Sequence, residues 1–163
     1  MQIRKANSTN IDIILEIVDQ AREIMRENGN LTQWNDGYPS RDIILSDINN
    51  EQAFVCVEYE EVVGYFCYMK GNNPEQNYAV IENGEWLNEK PYGVIHRLAS
   101  GRKVKGIAQK AFEFAFESCN NIKVDTHHHN VPMKNFLKKN GFTYCGIIYV
   151  GDGTARDAFQ KQL

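Results

Sequence analysis

"SGRKVKGIAQKAFEFAFE", Ser100 to Glu117, puts three basic side chains and two glycines into seven positions and then turns into an apolar run. Ile107, Ala108, Ala111, Phe112, Ala115 and Phe116 recur at the spacing of one helical face. The stretch just before it, "YGVIHRLAS" from Tyr92 to Ser100, reads as a strand. A strand that ends in a glycine-bearing loop and opens a helix presents unpaired N–H groups at the positive end of the helix dipole, where phosphate is stabilised. Gly106 lets the backbone approach a ligand with no Cβ in the way, and Arg102, Lys103 and Lys105 add charge that a neutral ligand would not need. The alternative is an ordinary solvated turn whose lysines face water.

Composition narrows the guests. The chain has 163 residues, 42% of them hydrophobic, enough for one globular domain over residues 1–163 with a real core. Its formal charge of -3 gives no general attraction to nucleic acid or to an acidic membrane surface, so any anion site is local. Cys56, Cys67, Cys119 and Cys145 form no C-x-x-C pair and sit mostly in apolar stretches, which suits a reducing compartment. The start "MQIRKANSTN" has no apolar signal region and no run is long enough to span a bilayer, so the expectation is a cytoplasmic protein with no membrane partner.

No linker or repeat divides the chain. Met1 to Ala6 suits a first strand, and "STNIDIILEIVDQAREIMREN" a helix capped by Ser8 or Thr9 with Ile11, Ile14, Ile17 and Val18 on one face. A turn-rich loop carrying Trp34 and Tyr38 leads to a short helix capped by Ser40. "AFVCVEYEEVVGYFCYMK" is a hairpin around Glu60 and Glu61, and residues 71–91 are irregular. After the basic loop and its helix come the strand "IKVDTH", the helix "VPMKNFLKKNG" with Pro132 in its first turn, and a hairpin across Asp152 and Gly153. The fold class is α+β: one mixed, mostly antiparallel sheet of six to seven strands flanked by about four helices.

Two familiar phosphate loops are excluded. Gly101 and Gly106 have Walker A spacing, but Ile107 and Ala108 stand where that loop needs Lys and Ser or Thr. The loop also comes too late, with the wrong glycine spacing, for a dinucleotide fingerprint. What remains, Lys103-x-x-Gly106-x-Ala108, resembles the Arg/Gln-x-x-Gly-x-Gly/Ala loop of the GNAT superfamily of acetyl-CoA-dependent N-acetyltransferases. "NVPMKNFLKKNGF", Asn130 to Phe142, resembles that family's second motif, Asn-x-x-Ala/Met-x-x-x-Tyr-x-x-x-Gly-Phe, and the element order matches the family fold across essentially the whole chain.

The resemblance implies acetyl-CoA as co-substrate, held by Leu98, Ala99, Ser100, Lys103, Val104, Lys105, Gly106, Ile107 and Ala108 with Asn130 and Met133, and direct attack by a primary amine of a small molecule or peptide on the thioester. It also implies that the loop with Trp34 and Tyr38 walls the acceptor site, that a backbone N–H near Leu98 stabilises the oxyanion, and that a homodimer is one allowed state. Two departures stand out: Lys103 replaces the usual Arg or Gln, and Leu137 replaces the Tyr that protonates the leaving thiolate in many members. Leu137 therefore also suits a rival class, a non-catalytic acyl-CoA-binding module of the same fold.

His96 is the candidate base, since its unperturbed pKa lies near working pH; the alternative is a packed strand histidine. Alternation puts Arg97 on the other side of the sheet, to read a substrate carboxylate or pair with a buried acid. Tyr144 or Tyr149 on the following strand stand in as acids, each equally readable as a half-buried strand aromatic. In "DTHHHN", His127 and His129 share a side of an extended chain, but no Cys or acid is spaced to complete a ligand set, so the reading is a polar strand end and no metal. No further basic or aromatic stripe supports a nucleic-acid partner.

Overall fold

The computed structural model describes residues Met1–Leu163. Seven strands, β1 (Gln2–Lys5), β2 (Ala53–Glu58), β3 (Glu61–Gly71), β4 (Tyr92–Ser100), β5 (Asn121–Thr126), β6 (Thr143–Tyr149) and β7 (Ala155–Gln162), join four helices, α1 (Ile11–Glu27), α2 (Arg41–Asn49), α3 (Ile107–Ser118) and α4 (Val131–Lys139). The strands form one sheet in the order β1-β2-β3-β4-β5-β7-β6, antiparallel except for the β4–β5 pair. This is the expected mixed α+β architecture, and β7 inserted beside β5 is what the sequence pattern could not specify. No helix is long and apolar enough to cross a membrane.

Local chemistry sets most boundaries. Asn7, rather than Ser8 or Thr9, makes the first cap: its side chain accepts from the Thr9 N–H, and the Asn10 side chain accepts from the Asn7 N–H, closing a short 3-10 turn at Ser8–Asn10 that feeds α1. Asparagine at both ends of that turn outcompetes the hydroxyl residues because its longer side chain reaches back to the backbone. Ser40 caps α2 as expected, accepting from Ile43 N–H at 3.3 Å. The β2–β3 hairpin turns through Tyr59 and Glu60, one residue earlier than the two glutamates suggest, with both in the left-handed region (φ 49° and 66°) as a two-residue hairpin turn requires.

The sheet buries both faces. Phe66, Tyr68 and Ile95 face one side, where Ile107, Ala111, Phe112 and Ala115 of α3 and Leu137 of α4 pack on them. Tyr65 faces the other side against α1 and α2. Further along that same face Val94, Tyr92 and Ala158 are covered by Tyr78 and Trp86 from the irregular segment after β3. That segment is far from featureless: a 3-10 turn at Gln76–Tyr78, a bridge from Glu82 to Ile147, and the Trp86 Nε1–H donated to the Tyr78 carbonyl at 2.9 Å anchor it.

Two irregularities in β4 shape the centre of the molecule. Opposite β3 the register passes from Cys67–His96 to Tyr65–Ala99, so Arg97 and Leu98 share the space facing Phe66. This is a β-bulge, and Arg97 takes it with φ 53°, a strained conformation for a non-glycine residue. Toward β5, β4 is paired only at Gly93–Ile122 and Val94–Lys123, and the strands part from Ile95 onward.

The bulge also corrects the expected direction of Arg97. Strict alternation would send it across the sheet from His96; the extra residue turns both toward the same face, His96 to the segment after β3 and Arg97 to α2. There the guanidinium donates to both carboxylate oxygens of Asp47 at 2.8 and 2.6 Å, and the Tyr65 hydroxyl donates to the same carboxylate. Burial works against the charge of Arg97, and the bonds to Asp47 more than offset it, raising the guanidinium pKa. Asp47 is 4% exposed, so removing it strands a buried cation. Asp47→Ala should lower stability by about 3 to 5 kcal/mol in urea denaturation, while the double change to Asp47→Leu with Arg97→Met should recover much of that loss.

Candidate functional site

Where β4 and β5 part, a cavity of 750 Å³ opens between them. Ile95 and Leu98 form one wall, Val124 to Thr126 the other, and Phe112 of α3 the floor. The loop from Thr32 to Tyr38, the start of α4 and the turn between β6 and β7 close its sides. The α1–α2 loop is held in place from α1: Arg26 donates to the Asn30 and Gln33 carbonyls and to Asn35 Oδ1, each at 2.8 Å, and Arg22 donates to the Tyr38 carbonyl at 2.7 Å. Trp34, 9% exposed, serves as a core residue with its remaining surface on the cavity, and the Tyr38 hydroxyl accepts from Arg97 at 3.0 Å.

His96 projects into this cavity and donates its Nε2–H to Glu75 Oε2 at 2.6 Å. Glu75 follows β3 in the irregular segment, where its other oxygen accepts from Asn77 N–H at 3.0 Å. Burial pushes the Glu75 carboxyl up, but the hydrogen bonds from His96 and Asn77 outweigh it and hold the group below the usual carboxylate range. Glu75 is therefore an anion at neutral pH, acceptor only. With the Nε2 proton committed to it, Nδ1 is the nitrogen left to accept a proton, and it has no partner within the protein. The Tyr78 ring packs 6.2 Å from the imidazole and helps fix its plane.

A second concavity, of 580 Å³, lies along the basic loop between Ile24 of α1 and Phe136 of α4. Ser100, Val104, Lys105, Gly106, Ile107 and Ala108 border it. Gly106 is the N-cap of α3 with φ 87°, a conformation that leaves the first N–H groups of the helix pointing outward, and the space where its Cβ would stand is open. Ala99 and Lys103 lie elsewhere. Ala99 is buried under α1, and Lys103 turns outward to Glu61 at 2.6 Å. Arg102 likewise pairs with Glu27 at 2.6 Å, and its N–H is donated to Gln20 at 3.1 Å. These are exposed, exchangeable pairs. Lys105 has no acidic partner.

Asn130 and Met133 border the larger cavity. Asn130 caps α4, accepting from Met133 N–H at 3.3 Å, and its amide donates to Gln33 at 3.3 Å, tying the second motif to the α1–α2 loop. The tyrosines named as acids are not brought to the cavity. Tyr144 packs edge-on against Phe159 on the α4 side of β6, and the Tyr149 hydroxyl donates to Glu82 at 2.9 Å on the outer edge. Leu137 is wholly buried in the α3–α4 core. His127 bonds Thr32 Oγ1 at 2.9 Å through Nε2 and accepts the His129 N–H at its Nδ1, and burial followed by the neighbouring Arg156 pushes its pKa down. No group of three or more His, Cys, Asp or Glu side chains is arranged to hold a metal.

Sequence reasoning missed Glu75 and Asp47. The first sits in "GNNPEQNY", where the proline followed by an acid ahead of an aromatic is a capping signal; the second lies on the short helix α2 with nothing local to mark it.

The family model described as "Acetyltransferase (GNAT) family" matches residues 16–142. A crystal structure of a GNAT-family acetyltransferase from Streptococcus agalactiae is 34% identical and superposes with a TM-score of 0.89, covering 99% of this chain and 95% of that one. A GNAT-family acetyltransferase from Listeria monocytogenes, at 20% identity and TM-score 0.70 over 99% and 94% of the two chains, shares the fold. So does a ribosomal-protein-alanine N-acetyltransferase from Brucella melitensis, at 18% identity and TM-score 0.65 over 100% of each chain. Comparison with curated proteins gives no match. The splayed β4 and β5, the glycine-capped loop before α3 and a family match spanning both motifs make this chain an acyltransferase, a member of the GNAT acetyltransferase family.

Proposed function

We propose that residues 1–163 act as one N-acetyltransferase domain that moves an acetyl group from acetyl-CoA to a primary amine of a small molecule or peptide by direct attack. The observation that carries this reading is the meeting, in one cavity, of the bulged backbone at Leu98 with a histidine whose outer nitrogen is free and whose inner nitrogen is fixed by Glu75.

The loop fits the cofactor's anionic end. The outward N–H groups at the start of α3, the open space at Gly106 and the unpaired Lys105 suit a pyrophosphate, and Arg102 and Lys103 can exchange their exposed carboxylates for it. Acetyl-CoA supplies a thioester whose carbonyl carbon the amine attacks, the C–N bond forming as the C–S bond breaks.

The chain's part is to manage protons and charge. An alkylammonium with a pKa near ~10.4 is neutral in roughly one molecule per thousand at pH 7, so the acceptor must give up a proton. His96 Nδ1 takes it, directly or through one water, and Glu75 stabilises the imidazolium that results. The bulge leaves one of Arg97 and Leu98 outside the ladder, and the Leu98 N–H, on the cavity wall, stabilises the developing oxyanion. The departing thiolate, far less basic than an alkoxide, leaves without a side-chain acid and takes its proton from solvent. The absence of Tyr at position 137 is thereby tolerated.

Gly106→Glu should abolish acetyl-CoA binding in calorimetry while circular dichroism shows a folded protein, because it places a strained side chain and a negative charge at the loop. His96→Ala should lower kcat by about 100-fold or more with cofactor affinity unchanged, and added imidazole should restore part of the loss; a wild-type kcat with only a lower melting temperature would assign His96 a structural role. Because the Glu75 carboxyl is depressed in the folded state, the stability it contributes is present above its unfolded pKa of about 4.3 and is lost as pH falls through its folded value. Glu75→Gln should therefore melt below the wild type at pH 7, and thermal scans should show the gap closing as pH drops below about 4.

A further inference from the structure

We infer that the acceptor carries a carboxylate and that Arg156 reads it, an inference that rests on the acetyltransferase reading of the same cavity. On β7, Asp157 faces α4, where Lys134 holds it at 2.7 Å, and Ala158 faces the opposite side with Tyr92 and Val94. Alternation then puts Arg156 on the same face as Ala158. His96 reaches Glu75 from this face of β4, and Asp125 reaches Tyr78 from this face of β5 at 2.6 Å. Arg156, Asp125 and His96 thus stand on three adjacent strands, and all three border the cavity. Because β4 has parted from β5 at this point, His96 and Arg156 stand on opposite sides of the opening. That placement suits a ligand with an amine at one end and an anion at the other.

Arg156 is set apart by what it lacks. Arg4, Arg22, Arg26, Arg41, Arg97 and Arg102 each donate to at least one side-chain oxygen. Arg156 donates only to the carbonyl of its neighbour Ala155, at 3.2 Å. Three of the four acids on the cavity are already served: Asp125 by Tyr78, Glu75 by His96, and Asp152 by the N–H and hydroxyl of Thr154. An unpaired planar guanidinium on the wall of a cavity is suited to bidentate recognition of a carboxylate. Arg97, the arginine that sequence alternation nominated for this role, has its fork closed by Asp47. Asp36, also on the cavity, keeps an open carboxylate, so the site is not built for a polyanion.

The test uses matched acceptors with acetyl-CoA and free-thiol detection: lysine against its decarboxylated form cadaverine, and glycyl-lysine against its C-terminal amide. In the wild type the carboxylate member of a pair should have a kcat/KM higher by about tenfold or more. Preference within the first pair identifies a free amino acid and preference within the second a peptide. Arg156→Gln should bring the ratio close to one, and Arg156→Glu should invert it. A ratio near one in the wild type for both pairs, or a ratio that Arg156→Gln leaves intact, overturns the inference. Should no amine release thiol, the acetyl-transfer reading fails by itself, and calorimetry with N-acetyl-lysine still decides on Arg156: binding lost in Arg156→Gln supports the carboxylate site, and equal binding or none in the wild type overturns it.

Discussion

Two hydrogen bonds from Arg97 to the buried carboxylate of Asp47 hold β4 in a shape that a free strand would not keep. A non-glycine residue at φ 53° is strained, and it persists only where surrounding contacts over-determine it. Here the contacts are charge-assisted, bidentate and buried, and a third donor from Tyr65 saturates the same carboxylate. With the bulge fixed, β4 presents His96 and Arg97 to one face, leaves the Leu98 backbone beside a cavity, and diverges from β5. The cavity exists because parallel pairing stops after Val94. Phe112 fills the bottom of the opening while the top stays clear.

The polar groups around that opening fall into two sets. Arg97, Arg26, Arg22 and Asn130 spend their donors on the protein, and what they hold is the scaffold: α2 to β4, the α1–α2 loop to α1, and the second motif to that loop. His96 and Arg156 keep one group each free, and the two differ in kind, being a lone pair and a planar cation, beside the bulged backbone at Leu98. A rigid set around an unsaturated set is the arrangement that stabilises a changing charge distribution without reorganising during the reaction.

Sequence carried the fold well because the fold is local in its signals. Helix faces at 3.6 spacing, a glycine cap before α3, Pro132 at the start of α4 and the turn at Asp152-Gly153 each act over a few residues, and all appear in the structure. The candidate site was legible where it lies in or next to such a signal, as in the loop from Val104 to Ala108, at Asn130, and at His96 on the strand that feeds the loop. What escaped depends on distance along the chain. Glu75 meets His96 across 21 positions and Asp47 meets Arg97 across 50, and no local pattern announces either pairing. Arg97 also shows how one inserted residue misleads: the period of two is a good guide along a regular strand, and a single bulge reverses every direction read beyond it.

Leu137 and the two tyrosines on β6 show why the missing acid need not be sought elsewhere in the chain. Leu137 is packed among Phe112, Phe142 and Phe159, where a phenol would carry its hydroxyl into a dry core and would need a partner there. Tyr144 and Tyr149 are on the wrong side and the wrong edge of the sheet. Asymmetry between the two proton transfers of the proposed reaction makes this tolerable. The ammonium has a pKa about three units above neutral pH and must be deprotonated before it can attack, whereas a thiolate is stable enough to depart bare and be protonated by water. A fold that can equip only one of these steps with a side chain gains more by equipping the first, and that is the step at which the proposed reaction uses His96 with Glu75.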